Sequence, residues 1–207
     1  MVDKFFEKHI NLIICKEEIE QAYQLLTECF EKDGKVLIAG NGGSSSDAEH
    51  IVGELMKGFL LKRELKDEEK SALLEQDEDK GKYLEKNLQG ALPAISLSSH
   101  SSLTTAISND VSGDMIFAQQ VQGYGRKGDV FLAISTSGNS RNVVLAAIVA
   151  KAKGMHVIGL TGEGGGELFD IADVCICVPS KETFEIQEYH IMIYHFLCRI
   201  LEKRFFE

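Results

Sequence analysis

The stretch that most constrains the fold of this chain is KVLIAGNGGSSSDAEHIVGE, residues 35–54. Its first part, residues 36–39, is an apolar run typical of a strand that is buried on both faces. Residues 41–46 then form a turn of small and polar residues, and the apolar spacing becomes helical over residues 48–55. A strand, a small-residue loop and a helix in this order direct backbone N–H groups and hydroxyls at an anion.

A tight turn with a serine or aspartate cap, from Ser46 or Asp47, would also explain this stretch by itself. No Lys follows the glycines as in a Walker loop, and the full dinucleotide fingerprint is missing. A second copy of the pattern follows later, however, with an apolar run at 130–134, the loop STSGNS at 135–140 and a helical pattern at 143–152. Two hydroxyl-rich loops of this kind favour a phosphate held between them.

Five short apolar runs alternate with helical patterns along the chain. The runs are residues 36–39, 92–97, 130–134, 156–160 and 174–178. This alternation predicts an α/β fold, a three-layer α/β/α sandwich around a five-stranded parallel sheet, with ligands at the carboxyl ends of the strands. Long helices are predicted over residues 3–31 and 184–204, the first of them packing on the domain or on a partner subunit.

Composition limits the class of protein. With 207 residues and 44% hydrophobic content, we expect a single domain, 1–207, with one sizeable core. The net charge of −10 disfavours nucleic acid or an anionic membrane as a partner. The five cysteines lack the spacing of a secreted framework, and neither a signal peptide nor an apolar run of membrane length is present. A soluble, cytoplasmic protein is the expectation.

One segment departs from the globular pattern. Between residues 62 and 86, 16 of 25 residues are Asp, Glu, Lys or Arg. We expect the helix that begins near residue 48 to run to about residue 61. A charged surface insertion at about 62–89 would follow, with one or two short helices and a mobile link near 76–81. A partner-binding element is the alternative for this segment.

Within the C-terminal helical pattern, the polar side chains Gln187, His190 and His195 lie among apolar residues. Each by itself is more often a satisfied core residue, and a pair such as His50 and Glu54, four residues apart, is common on helices. Together the two helices offer imidazoles, a carboxylate and a carboxamide, which suit a divalent ion, with zinc favoured.

The spacing of the last helix adds a constraint. Gln187 and His195 are eight residues apart, which is about 12 Å along a straight helix. One ion held by both requires either a loosened first turn at Gln187 or side chains from two subunits. We favour sites at subunit boundaries, in a symmetric homotetramer.

The chain resembles the sugar isomerase (SIS) domain proteins and, within them, the phosphoheptose isomerase family, over nearly its whole length. The motifs that carry the resemblance are GNGGSSSDAEH with Glu54, SND at 108–110, ISTSGNS at 134–140, LTGEGGG at 160–166 and IQEYHIMIYH at 186–195. The loops alone mark the wider SIS class, whereas His50, Glu54, Gln187 and His195 in combination are more selective.

The resemblance implies roles for individual residues. The residues expected to hold phosphate and sugar oxygens are Asn41, Gly42, Gly43, Ser44, Ser135, Thr136, Ser137 and Ser140. Asn109 and Asp110 are expected to bind sugar hydroxyls. The residues that match the metal positions, for one zinc ion per subunit, are His50, Glu54, Gln187 and His195. Among these, Glu54 and Gln187 also face the substrate, and Glu54 and His195 match the acid/base pair.

The reaction of the family converts sedoheptulose 7-phosphate into D-glycero-D-manno-heptose 7-phosphate, at the start of nucleotide-activated heptose synthesis. A proton moves between C1 and C2 through an enediol, which a carboxylate and an imidazole can catalyse and a metal ion can stabilise. Because a carboxylate that binds metal tightly is a poorer base, whether Glu54 holds both roles stays open. Two other functions also stay open: a non-catalytic SIS module that binds a sugar phosphate or a protein partner, and an isomerase of another phosphosugar, such as an amino-hexose 6-phosphate.

Overall fold

The computed structural model describes residues 2–207, with side chains from residue 4 onward, and is built on a five-stranded parallel sheet. The strands are β1 (Val36–Ala39), β2 (Ala94–Ser96), β3 (Val130–Ser135), β4 (His156–Thr161) and β5 (Val174–Cys177). They lie in the order β2-β1-β3-β4-β5, and each neighbouring pair is parallel. The five predicted strands are confirmed, with ends that differ by no more than two residues.

Helices connect the strands and precede and follow the sheet. The α-helices are α1 (Val2–Lys8), α2 (Lys16–Glu31), α3 (Gly43–Met56), α4 (Asp67–Gln76), α5 (Glu78–Asn87), α6 (Ser101–Asp110), α7 (Ile116–Tyr124), α8 (Arg141–Ala152), α9 (Gly166–Ile171) and α10 (Thr183–Phe206). Two 3-10 helices span Ile10–Cys15 and Gly113–Met115.

The two faces of the sheet have separate cores, because successive side chains of a strand point to opposite sides. On β1, Val36 and Ile38 pack with apolar residues of α1, α2, α3 and α10. Leu37 and Ala39 pack on the opposite face with residues of α7 and α8. Full burial of a large aliphatic side chain stabilises the fold by roughly 1.5–3 kcal/mol, so both layers contribute. The three-layer α/β/α sandwich is confirmed.

The prediction of one helix over residues 3–31 is wrong. The backbone of His9 (φ −120°, ψ 63°) interrupts it, and a 3-10 helix follows. Leu12 and Cys15, three residues apart, are buried here, while Ile10 and Ile14 are 70% and 72% exposed. The buried side chains therefore follow a period of three, which suits a 3-10 helix rather than an α-helix.

The region after α3 also differs from the prediction. Helix α3 ends at Met56 rather than near residue 61. Segment 62–89 forms two helices, as expected, but only Asp77 separates α4 from α5, so no separate link spans 76–81. The prediction that this segment lies on the surface is also wrong for Arg63. Its side chain is buried, with 1% of the residue exposed.

The cysteines agree with the sequence analysis. All five are unpaired, and the sulfurs of Cys175 and Cys177 lie 3.7 Å apart on one side of β5. Within residues 2–207, none of the helices combines the length and the apolar character needed to cross a membrane.

Candidate active site

The two hydroxyl-rich loops leave neighbouring strands at the same edge of the sheet. From β1 the chain proceeds to β2 on one side, whereas β3 lies on the other side of β1. The direction of the strand order thus reverses between β1 and β3, and open α/β sheets bind ligands in the crevice outside such a switch point. Residues 40–42 follow β1 there, and residues 136–140 follow β3.

The first loop is shorter than predicted. Helix α3 begins at Gly43, so that residues 43–46 form its first turn, and Ser44 is buried. No side chain caps α3, and the prediction of a cap from Ser46 or Asp47 is therefore wrong. The side-chain amide of Gln187 lies against Gly43, where a Cβ atom would displace it.

The second loop is held by its own polar groups. The hydroxyl of Ser135 donates a hydrogen bond to that of Ser140 at 2.9 Å. Gly138 has φ +68°, and a Cβ atom on it would overlap the carbonyl group of Gly165. The neighbouring loop also supports this one, because the N–H of Gly162 donates to the carbonyl of Thr136 at 3.0 Å. No side chain caps α8, so the N-termini of α3 and α8 both lack a side-chain partner, as suits anion binding.

Direct contacts join the loops. The side-chain amides of Asn41 and Asn142 exchange two hydrogen bonds, of 2.9 and 3.0 Å. The hydroxyl of Ser98, in the loop after β2, donates to the carbonyl of Gly40 at 3.2 Å. The sequence analysis missed Asn142, although its place at the start of α8, behind the second loop, was a signal for it.

Two of the predicted sugar-binding residues form a hydrogen bond with each other at the end of α6. Asn109 and Asp110 are exposed at the end of α6, where the amide of Asn109 donates to the Asp110 carboxylate at 2.9 Å. Within residues 2–207, no side-chain hydrogen bond connects either residue to the phosphate loops. Their contact with a sugar stays a prediction.

Three of the predicted catalytic and metal residues meet within one chain. The Nε2 atom of His50 lies 3.3 Å from Oε1 of Glu54 and 3.4 Å from Nε2 of His195. The side chain of Glu54 is 13% exposed, and its second oxygen lies 3.4 Å from the ammonium group of Lys57. Helices α3 and α10 thus bring the carboxylate and both imidazoles to one place.

A buried hydroxyl orients His50. The hydroxyl of Tyr194 donates to Oδ1 of Asp47 at 3.3 Å and lies 2.9 Å from Nδ1 of His50. These contacts hold the ring of His50 from its Nδ1 side, and Nε2 faces Glu54 and His195. The sequence analysis missed Tyr194 and treated Asp47 only as a helix cap.

Burial and neighbouring charges change the pKa values in this cluster. Burial and the nearby His50 lower the pKa of His195, and Glu54 opposes this effect. Burial raises the pKa of Asp47, against the opposing effects of Tyr194 and His50. Burial and the Asp47 carboxylate raise the pKa of Tyr194, which keeps its hydroxyl protonated. His195 is therefore available as a neutral imidazole that can accept or pass on a proton.

The side chains of His50, Glu54 and His195 offer the kinds of donor atom that bind divalent cations. Two imidazole nitrogens and a carboxylate are common zinc ligands, and an imidazole oriented through its second nitrogen is typical of such sites. Among the described residues, however, no group of three or more His, Cys, Asp or Glu side chains is arranged so that it could hold a metal ion.

Gln187 occupies a different place from the other three predicted ligands. Helix α10 is regular from Thr183 onward, so the alternative of a loosened first turn is wrong. The amide of Gln187 lies over Gly43, beside the first phosphate loop, and so fits the predicted contact with substrate. Its role as a metal ligand stays a prediction.

Comparisons with known proteins place the chain in a family. The family model described as SIS domain matches residues 14–90 and 88–162. The phosphoheptose isomerase of Rhodospirillum rubrum is 40% identical over 193 residues, which are 93% of this chain and 89% of that protein. The phosphoheptose isomerase of Helicobacter pylori is 40% identical over 190 residues, covering 92% of this chain and 85% of that protein.

Solved structures lead to the same family. The phosphoheptose isomerase of Neisseria gonorrhoeae superposes with a TM-score of 0.71 at 34% identity, covering 97% of this chain and 99% of that one. The phosphoheptose isomerase of Francisella tularensis gives 0.74 at 32% identity, covering 98% and 96%. The chain therefore belongs to the phosphoheptose isomerase family of the SIS-domain proteins.

Proposed function

We propose that this protein is an aldose–ketose isomerase that converts D-sedoheptulose 7-phosphate into D-glycero-D-manno-heptose 7-phosphate, for nucleotide-activated heptose synthesis. The observation that carries the proposal is the arrangement along α3. The helix starts at the phosphate loops, and His50 follows seven residues after Gly43, about 10 Å along its axis. This length suits an extended seven-carbon sugar phosphate with its phosphate at the loops and C1 and C2 at Glu54 and His195.

In this mechanism the phosphate binds between the loops, where uncapped helix N-termini and hydroxyls receive it. The carboxylate of Glu54 takes a proton from C1 of the ketose and returns it to C2 of the aldose. The imidazole of His195 receives the proton of the O1 hydroxyl and delivers a proton to O2.

We also propose that His50, Glu54, Gln187 and His195 bind one zinc ion per chain. When bound, the ion supplies positive charge that stabilises the enediolate oxygens. Protein purified without chelator should contain about one ion per chain by elemental analysis, and His50→Gln should lose it. The exposed His156 provides the control, since His156→Gln should keep the ion. A metal-free protein with full activity contradicts this proposal.

A substrate comparison tests the proposed reaction. We expect turnover of sedoheptulose 7-phosphate and none of amino-hexose 6-phosphates, because the loops and the acid/base pair are spaced for the longer chain. Glu54→Gln should abolish turnover while substrate still binds. The same comparison separates this proposal from a non-catalytic SIS module, which would bind the phosphosugar and leave it unchanged.

We further propose a cytoplasmic homotetramer with its active sites near subunit boundaries. The unpaired cysteines support a reducing compartment, and large apolar side chains that are exposed on this chain support the assembly. These side chains include Ile10, Ile13, Ile14, Phe184 and Ile191. Sedimentation should give about four times the chain mass of 22.9 kDa. Because Glu54 and His195 meet within one chain, mixing Glu54→Gln with His195→Ala should restore no activity.

A further inference from the structure

A buried ion pair joins the two helices that carry the acid/base groups. Arg63 and Glu202 are each 1% exposed, and Nε of Arg63 donates to Oε1 of Glu202 at 2.9 Å. The desolvation of two buried charges can exceed their mutual attraction, so such a pair is weak evidence for stability. The remaining hydrogen bonds of the pair indicate what else it does.

The guanidinium group of Arg63 holds the end of α3. Its Nη1 donates to the carbonyl of Leu55 at 2.6 Å, and its Nη2 donates to the carbonyl of Glu54 at 2.7 Å. Carbonyls in the last turn of a helix have no partner within the helix, and a cation is favourable there. Arg63 therefore caps the last turn of α3, which contains Glu54, and fixes the backbone of this residue.

The carboxylate of Glu202 holds the chain that follows α3. It accepts hydrogen bonds from the N–H groups of Phe59 at 2.7 Å, Leu60 at 2.8 Å and Leu61 at 3.2 Å. The ring of Phe59 in turn lies 5.6 Å from the ring of His195, between centroids. Glu202 itself follows His195 by seven residues, two turns further along the same face of α10.

Together these contacts form one connection between the acid/base groups. Arg63 fixes the backbone of Glu54, and Glu202 fixes Phe59, which packs against His195. We propose that Arg63 and Glu202 are positioning residues that set the separation of Glu54 and His195 during proton transfer. They touch neither substrate nor reacting atoms, and this inference rests on the proposed function. A misplacement of about 1 Å can cost about 100-fold in rate, so the expected effect is on kcat.

The double variant Arg63→Met/Glu202→Leu tests the proposal. It removes both charges together, so no uncompensated charge stays buried. The backbone groups that the pair satisfied lose their partners, so the thermal midpoint should fall, and kcat is measured at a temperature where the variant is folded. We expect kcat for sedoheptulose 7-phosphate to fall about 100-fold, with KM within about threefold of the parent. KM should change little because the phosphate loops lie at the other end of α3.

A second, partly buried ion pair provides the control. Lys35 and Asp129 form a 2.6 Å ion pair just before β1 and β3, at the sheet edge opposite the loops. The variant Lys35→Met/Asp129→Asn removes this pair and should leave kcat of the folded enzyme unchanged. Equal loss of kcat in both double variants would make the effect one of general stability and would overturn the proposal.

Amide hydrogen exchange tests the hydrogen bonds to Glu202 independently of enzyme activity. The amides of Phe59, Leu60 and Leu61 should exchange at least tenfold faster in Arg63→Met/Glu202→Leu than in the parent. If they do so while kcat keeps its parental value, the positioning role is overturned and the proposed function stands. If the parent itself has no isomerase activity, the function fails, and the positioning role fails with it. Glu202→Gln serves for the same comparison if the double variant does not fold.

Discussion

The side-chain amides of Asn41 and Asn142 exchange two hydrogen bonds and so join the loop after β1 to the helix behind the loop after β3. A phosphate between the loops needs both at a fixed separation. Asn142→Asp removes the two N–H donors and adds a negative charge beside the phosphate, so we expect KM to rise at least tenfold. Initial rates against substrate concentration measure this.

The control for this variant is Asn87→Asp, the same chemical change at an exposed position at the end of α5. It should leave KM unchanged. A parental KM for Asn142→Asp would mean that the pairing of the two amides does not organise the phosphate site.

The hydroxyls of the second loop provide another test. Ser135 and Ser140 hydrogen-bond each other at 2.9 Å, and the resemblance to the family assigns both to the phosphate. Ser135→Ala/Ser140→Ala removes these donors without adding charge, so KM should rise strongly while the fold persists. Ser71→Ala, on the exposed surface of α4, is the control. An unchanged KM in the double variant would mean that the loop is only a turn.

The sequence predicted those parts of the molecule that depend on local pattern. Strands such as the one predicted over 130–134 could be recognised in the sequence because both faces of the sheet are buried, which requires consecutive apolar residues. The loop residues were visible because a small-residue loop between strand and helix is a local signature. The pairing of His50 with Glu54 followed from helical spacing alone.

Residues whose partners lie far along the chain were missed. Arg63 lies in a charge-rich stretch, and its partner Glu202 is 139 residues away, so composition indicated a surface position. The contact of Tyr194 with Asp47 similarly joins two helices that are distant in sequence. Only the packing of α3 against α10 brings these groups together.

The hydroxyl of Tyr194 should matter for metal affinity. Tyr194→Phe removes the hydroxyl that lies 2.9 Å from Nδ1 of His50 and orients the ring, and loss of such an orienting partner typically costs 10–100-fold in metal affinity. Competition with a chelator of known affinity measures this directly. Tyr83→Phe, at a position that is 69% exposed, is the control and should bind zinc like the parent. Equal zinc affinity in both variants would contradict the orienting role.

The buried ring of His190 should make the free energy of unfolding depend on pH. This ring is 0% exposed, and burial lowers its pKa from 6.5 to about 4, while the nearby Thr161 backbone opposes the shift. Between these values the unfolded chain binds the proton and the folded chain does not. The free energy of unfolding should therefore fall as the pH decreases from 6.5 to 4, by up to about 3 kcal/mol from this group.

Urea unfolding at a series of pH values measures this contribution. His190→Leu should show a shallower loss of stability over the same interval, whereas His156→Leu, at an exposed position, should keep the parental slope. The same slope in His190→Leu and the parent would contradict the prediction.

Isomerisation of sedoheptulose 7-phosphate in deuterium oxide, followed by NMR, tests the central proposal most directly. If Glu54 takes a proton from C1 and returns one to C2 through an enediol, D-glycero-D-manno-heptose 7-phosphate should form, and exchange of the carried proton with solvent should place deuterium at C2. Glu54→Gln should form neither product nor deuterated substrate. Folded parent protein that leaves sedoheptulose 7-phosphate unconverted and without deuterium would contradict the account.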